Sequence, residues 1–359
     1  MTDILILTAS FGMGHKSVSN AIKEQIEAEY KHVKVEIADI LEIVNPKVKD
    51  FSSKMYSELT ETYPSVYNKL YDVKVNNKNN IIDNIFSSLY YKKFYEYMTI
   101  ENPKLIISTF PLCSCIVAKV KEEYNEDVNL ITVITDVVDS WEWIYKGTNK
   151  YLVPTDEIKT KLIGKGVDKD SILVTGIPVK PEFINKDINF SVNDKNTVLL
   201  VLSRIDHISR ELIVKLNEYD DYKIKIVTGR NERLYKKISD LQYSNVEVYG
   251  YVDNLNEMMD ESLYIVTKPG GVTIFEAINK ELPLIVLNSN IGQEKGNVEF
   301  VKQNKIGFVI EDIDNLPFIL DYHTNNPGIA NYFKKNIKRI KRSLKHSKLF
   351  IDSVIKEVI

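Results

Sequence analysis

The feature that most constrains the fold is a unit that recurs along the chain: a short apolar run, a turn, then apolar residues at helical spacing. Residues 4–7 (ILIL) lead into Thr8-Ala9-Ser10-Phe11-Gly12-Met13-Gly14-His15, beyond which Val18, Ala21, Ile22 and Ile26 fall on one helical face. Residues 32–38 then alternate through Val33, Val35 and Ile37, and apolar runs return at 105–108 and 130–135. A second series follows at 198–202, 223–227, 246–248, 264–266 and 284–287, with a helical pattern at 232–241. Strands apolar on both sides, alternating with helices, require a parallel sheet covered on both faces.

The expected architecture is α/β in two halves. A chain of 359 residues exceeds one ordinary core, and the polar stretch 185–196 is the natural linker. The expected domains are 1–185, 196–325, and a helical end at 326–359. Apolar residues make up 44% and charged residues 27%, as in an ordinary globular protein. A net charge of -3 argues against a general nucleic-acid binder, which needs a basic excess. Cys113 and Cys115, the only cysteines, lack the second pair of a zinc site and read as buried thiols in a reducing compartment. The N-terminal run is too short for a signal peptide, and no stretch approaches the ~20 apolar residues of a membrane span. A cytoplasmic location is expected.

Two segments depart from the rhythm. Residues 51–97 are crowded with aromatics, among them Tyr56, Tyr63, Tyr67, Tyr71, Phe86, Tyr90, Tyr91, Phe94 and Tyr95. Residues 333–350 carry an apolar stripe, Phe333, Ile337, Ile340 and Leu344. Eight lysines and arginines surround it without one acidic residue. This is a basic amphipathic helix suited to an anionic membrane surface. The alternative is that the tyrosines pack a core and the helix docks with its lysines in solvent.

The densest chemistry lies in KPGGVTIFE, Lys268 to Glu276. It follows an apolar run and opens a helix. Gly270 and Gly271 let a ligand approach the backbone, and the helix start offers unpaired N–H groups that suit a diphosphate. Thr273 adds a hydroxyl, and Glu276 can accept both hydroxyls of a ribose. The bland alternative is a capped helix. Downstream, Gln293 and Asn297 can hydrogen-bond a sugar or simply line a polar loop. Gly14 and His15 open the first helix, and Asp136 follows the run 130–135, where an ordinary capping role is the alternative.

Taken together, TKPGGVTIFEAINKELPLIVLNSNIGQEKGN, ILILTASFGMGH, ITDVVDSWEWI, YLVPTDEIKTKLIGKGVDKDSILVTGIPVKPEF and IVTGRNERLYKKI resemble the ordered motifs of glycosyltransferase family 28. The closest likeness is to bacterial diacylglycerol glucosyltransferases and monogalactosyldiacylglycerol synthases. The resemblance implies a GT-B fold, with two Rossmann-like domains facing a cleft and UDP-sugar on the C-terminal one. It also implies an inverting transfer with no metal and no cofactor beyond the UDP-glucose or UDP-galactose donor.

By position, Glu276 would hold ribose, and Gly270, Gly271 and Thr273, beside Lys268, the diphosphate. Lys180 would neutralise phosphate. Gly229 and Arg230 lie in the IVTGRNERLYKKI motif, and Tyr251 and Val252 after Gly250 would meet the uracil. Gln293 and Asn297 would face the sugar. Residues 198–207 lack the family's second glycine loop, which leaves Ser203 and Arg204 to contact phosphate. Gly14 and His15 would reach the sugar–diphosphate junction, with His15 or Asp136 as base. The expected acceptor is a lipid, diacylglycerol, reached by an enzyme peripheral at the inner face of the cell membrane. Alternatives are another acceptor, a UDP-N-acetylglucosamine 2-epimerase-like reaction, or a non-catalytic nucleotide-sugar-binding protein.

Overall fold

A computed structural model describes residues 2–9, 13–46, 88–184, 196–202, 208–239, 243–289 and 291–344. The middle of the first glycine loop, most of the aromatic tract, the linker 185–195, Ser203, Arg204 and the end of the basic helix lie outside the described residues.

The chain forms two compact units, one holding Met1–Pro181 with the short stretch Ile291–Gln293, and the other Glu182–Asn290 and Glu294–Ser343. The first is built from β1 (Ile4–Thr8), α1 (Met13–Glu29), β2 (Val35–Asp39), α2 (Ile40–Val44) and α3 (Ser88–Glu101). It continues through β3 (Leu105–Ser108), α4 (Pro111–Tyr124), β4 (Asn129–Val133), β5 (Lys150–Val153), α5 (Asp156–Gly164) and β6 (Ile172–Val174). Its sheet is parallel throughout, in the order β2-β1-β3-β4-β5-β6. The β1 side chains are all buried, as a strand covered on both faces requires. Val18, Ala21, Ile22 and Ile26 turn the apolar face of α1 inward, each at most 1% exposed.

The second unit contains β7 (Thr197–Val201), α6 (Arg210–Leu216), β8 (Lys223–Val227), α7 (Glu232–Ser239), β9 (Val246–Tyr249), α8 (Leu255–Glu261) and β10 (Ser262–Thr267). Then come α9 (Gly271–Asn279), β11 (Leu284–Leu287), α10 (Gly292–Asn304), β12 (Gly307–Ile310), α11 (Leu316–Asn325) and α12 (Ile329–Ser343). Its strands are also parallel, ordered β12-β11-β10-β7-β8-β9. This is the doubly wound nucleotide-binding order.

In each sheet the chain leaves its first strand in one direction and later returns on the other side. The reversal falls between β1 and β3 in the first unit and between β7 and β10 in the second. Strand ends splay apart at such a switch point, so ligands bind at the carboxyl edge there.

Two expectations about surfaces change. Ala330, Phe333 and Ile337 of α12 are buried in the second unit, so the first half of the apolar stripe is spent on folding, while Ile340 and Leu344 are half-buried. In the described end of the aromatic tract, Tyr91 and Phe94 enter the core of the first unit and Tyr95 stacks on Tyr124 at 3.9 Å. Both cysteines are buried and neither is in a disulfide, and burial pushes the Cys113 thiol well up.

Candidate active site

The switch point of the second unit is occupied by the turn Lys268-Pro269-Gly270 between β10 and α9. Gly270 N–H donates to the Lys268 carbonyl (2.8 Å), and Ile274 N–H returns to the Gly270 carbonyl (3.1 Å), which starts the helix. No side chain caps this helix. The amides of Gly271, Val272 and Thr273 have no carbonyl a turn earlier within α9, as in the first turn of any helix.

Gly270 is informative because nothing in the protein demands it. Its φ of -72° and ψ of 131° are open to any residue. Beyond its own helix and chain neighbours, a Cβ built there would meet no atom of the described residues within 4 Å. The open space lies against the helix start, where an anion is held by amides and the helix dipole.

Thr273 is half-buried in the first turn, Lys268 half-buried at the turn's entry, and Glu276 is 8% exposed. Gln293 lies half-buried in the first turn of α10. Asn297 is fully buried, and its Nδ2 donates to the Pro269 carbonyl at 2.8 Å. That amide builds the turn from behind, a role beyond the sugar contact expected of it.

A second cluster forms at the same carboxyl edge. Thr228 and Gly229 follow β8 and bond across to the end of β9 and the residue beyond it: Thr228 N–H to Tyr249 O at 2.9 Å, and Gly229 N–H to Gly250 O at 3.1 Å. The Arg230 guanidinium lies 5.6 Å from the centre of the Tyr251 ring, which is 63% exposed. Val252 is half-buried beside it. Gly229, Arg230, Tyr251 and Val252 are thus brought together on one sheet edge with the glycine turn. A flat cationic and aromatic surface of this kind suits a planar base.

In the first unit, His15 stands at the switch point. Its Nδ1 lies 2.9 Å from the Thr109 carbonyl and 2.9 Å from Thr135 Oγ1. A carbonyl only accepts, so Nδ1 carries the ring proton and Nε2 keeps its lone pair. Thr109 is fixed in turn: its N–H and Oγ1 both reach the Leu7 carbonyl, and its hydroxyl meets Ser19 Oγ at 3.0 Å. The Phe110 ring packs edge-on to the imidazole, with centroids 4.8 Å apart. Loss of hydration lowers the His15 pKa to about 4, against the smaller opposing pull of the Thr109 carbonyl. The side chain is therefore neutral near pH 7, with one basic nitrogen.

Gly14 is exposed immediately before His15, and Asp136 is half-buried immediately after Thr135. The loop that Asp136 opens is pinned by Lys165, whose Nζ is 2.8 Å from Asp139 Oδ2 and 5.3 Å from the Trp141 ring centre. Lys180 lies 3.9 Å from Glu24 of α1, and Gln25 Nε2 donates to the Val179 carbonyl at 2.7 Å. Residues 179–180 are thereby tied to α1. Thr109 and Thr135 were not singled out by sequence. Thr135 sits in the ITDVVD run beside Asp136, which was the available signal. Among the described residues, no group of three or more His, Cys, Asp or Glu is placed to hold a metal ion.

Two Rossmann-like parallel sheets, each with a glycine turn or polar cluster at its switch point, define a GT-B glycosyltransferase. The fold matches that of solved enzymes of this class. The calicheamicin glycosyltransferase aligns with a TM-score of 0.65 at 11% identity, covering 99% of this chain and 98% of that one. The glycotransferase of kitacinnamycin aligns at 0.62 and 14%, covering 99% of each chain.

Family models sharpen the class. That for monogalactosyldiacylglycerol (MGDG) synthase matches residues 15–179, and that for the glycosyltransferase family 28 C-terminal domain matches residues 202–340. This chain belongs to glycosyltransferase family 28. It is 28% identical to a processive diacylglycerol beta-glucosyltransferase of Bacillus subtilis (strain 168), over 99% of this chain and 95% of that protein. It is 29% identical to one of Bacillus pumilus (strain SAFR-032), over 96% and 92%.

Proposed function

We propose that this enzyme moves a hexose from UDP-glucose or UDP-galactose to the hydroxyl of a lipid acceptor, diacylglycerol, with inversion at the anomeric carbon. The observation that carries the donor half is the open space over Gly270, a glycine required by neither backbone angle nor packing. A diphosphate on the amides of Gly271, Val272 and Thr273 accounts for it. Lys268 and Lys180 add positive charge, and Tyr251 with Arg230 receives the base. Glu276 takes the ribose and Gln293 the sugar. The names of the relatives support the lipid acceptor.

In this reaction the acceptor oxygen attacks the anomeric carbon as the bond to UDP breaks. His15 Nε2 takes the hydroxyl proton, a contribution of typically 10²–10⁴-fold. Asp136 orients the acceptor or shares that role. Helix-end amides stabilise the departing diphosphate where negative charge develops. These steps draw on the chain's own side chains and backbone amides. A peripheral place at the inner face of the cell membrane accords with relatives named for a diacylglycerol acceptor; among the described residues no helix is long and apolar enough to cross a membrane.

The test is incubation with labelled UDP-sugars and diacylglycerol-containing vesicles, followed by identification of the product. A labelled glycolipid with the β configuration is expected from an α-linked donor. UDP binding with no labelled lipid would overturn the acceptor assignment. Retention of the donor's configuration would overturn the mechanism.

A further inference from the structure

Among the described residues, an array of charge left unused by this site lies on α12. Its sequence, IANYFKKNIKRIKRS, has six basic residues and no acidic one. The apolar side faces the core, so the helix cannot also insert that side into lipid. The opposite side presents Lys335, Lys338, Arg339 and Arg342, all exposed. Their spacing of three, four and seven residues makes one stripe, about 10 Å long at 1.5 Å per residue.

Little in the fold balances this charge. Glu281 pairs with Lys338 at 3.5 Å and Lys341 at 3.2 Å. Among the described residues, Lys335, Arg339 and Arg342 form no ion pair. Like charges three and four apart on a helix repel. A face meant only for water can relieve that with alternating signs, as many exposed helices do. Here, on a chain with net charge -3, no ion pair among the described residues offsets Lys335, Arg339 or Arg342. The favourable placing of cations near a helix C-terminus covers Lys341 and Arg342 but not Lys335, which lies mid-helix.

We infer that this stripe is an electrostatic docking surface for an anionic lipid bilayer, a mode of attachment that rests on the reading of a lipid acceptor. The charges lie along a line and point outward, so they meet many headgroups at once. Tyr332, 44% exposed at the edge of the same face, adds an amphipathic ring of the kind that sits at headgroup level. The contact is reversible and sensitive to salt, because Ala330, Phe333 and Ile337 are spent on the core and charge carries the attachment. Glu281, which marks the site, lies beyond the C-terminal end of α9, while the glycine turn lies at the N-terminal end. Nine residues of helix separate the two, about 14 Å at helical rise. Neutralising the stripe therefore leaves the donor machinery intact.

The experiment is flotation of the whole protein with vesicles of phosphatidylcholine, with and without phosphatidylglycerol. The comparison is a variant carrying Lys335→Gln, Lys338→Gln, Arg339→Gln and Arg342→Gln. Wild type is expected to float with the anionic vesicles and not the neutral ones, and to be released as salt is raised. The variant is expected to lose about 10²–10³-fold in vesicle affinity while keeping its melting temperature and its affinity for UDP. Arg339→Gln with Arg342→Gln alone gives an intermediate loss if the quadruple variant folds poorly. Equal flotation of variant and wild type would overturn the inference, as would equal binding to neutral vesicles or binding to duplex DNA as tight as to anionic vesicles. Transfer to diacylglycerol in neutral detergent micelles is measured in parallel. Its absence refutes the acceptor and leaves the docking surface standing.

Discussion

Replacing Gly270 by alanine separates a residue kept for the fold from one kept for a ligand. The native φ of -72° is allowed for alanine, and beyond its own helix and chain neighbours the new methyl would meet no atom of the described residues within 4 Å. Fixing the unfolded chain favours alanine by about 0.4–1 kcal/mol. At a helix N-cap alanine is worse than glycine by roughly 0.5 kcal/mol or more. The two nearly offset, so the melting temperature of Gly270→Ala is expected within about 3 °C of wild type. A bound diphosphate, in contrast, would have to move off the amides of α9 or accept an overpacked contact, which costs about 1–3 kcal/mol. UDP affinity should therefore fall by roughly 5–150-fold. Calorimetric titration with UDP, beside a thermal melt, reads both. Unchanged affinity would refute the placing of the diphosphate on this turn. A melting temperature lowered by 10 °C would refute the claim that the space is open.

Glu276→Ala is expected to weaken UDP binding by about 1.5–3 kcal/mol, as loss of a charged hydrogen-bond acceptor does; equal affinity by titration would show that the ribose is elsewhere. With His15 held at a pKa of about 4, the acid limb of kcat/KM should lie well below the 6.5 of a free imidazole, and His15→Gln should remove it. The same shift has a sign for stability: it is fully present above pH 6.5 and is lost as pH falls towards 4, which a pH series of melts would show. Gly307 pairs with Leu284 across β11 and β12, and a Cβ there would stand 2.1 Å from the Leu284 carbonyl oxygen. Gly307→Ala should destabilise the fold by at least about 1–3 kcal/mol in denaturant titration, without weakening UDP binding by the protein that remains folded.

The buried strands were legible because a parallel sheet asks for continuous apolar residues. The runs expected at 105–108, 223–227 and 284–287 are β3, β8 and β11 to the residue. Strands β5, β6 and β12 were harder for a physical reason. KYLV opens on a lysine, ILV is three residues long, and GFVI opens on a glycine and is mostly half-buried at a sheet edge. None gives a strong apolar run. The basic stripe on α12 was legible as a pattern, but its partner was not. The pattern that docks a helix on a core is the same one that lays it on a membrane, and only the burial of Phe333 and Ile337 distinguishes them. The glycine turn and His15 were visible as motifs. What fixes them, the Thr109 carbonyl, Thr135 and Asn297, was not, since these contacts join residues 28 to 120 positions apart.

The Asn297 contact also bears on the order in which the donor site is assembled. Pro269 O is bonded by a side chain 28 residues further along the chain. The Pro269 carbonyl of the glycine turn finds this partner only when α10 has docked behind it. A nascent chain ending at residue 291 would hold the glycines without their support. Conversely, any ligand that tightens the turn also holds α10 in place, since linked equilibria act in both directions. The helix that braces the glycine turn from behind is thus also one that a bound nucleotide would stabilise.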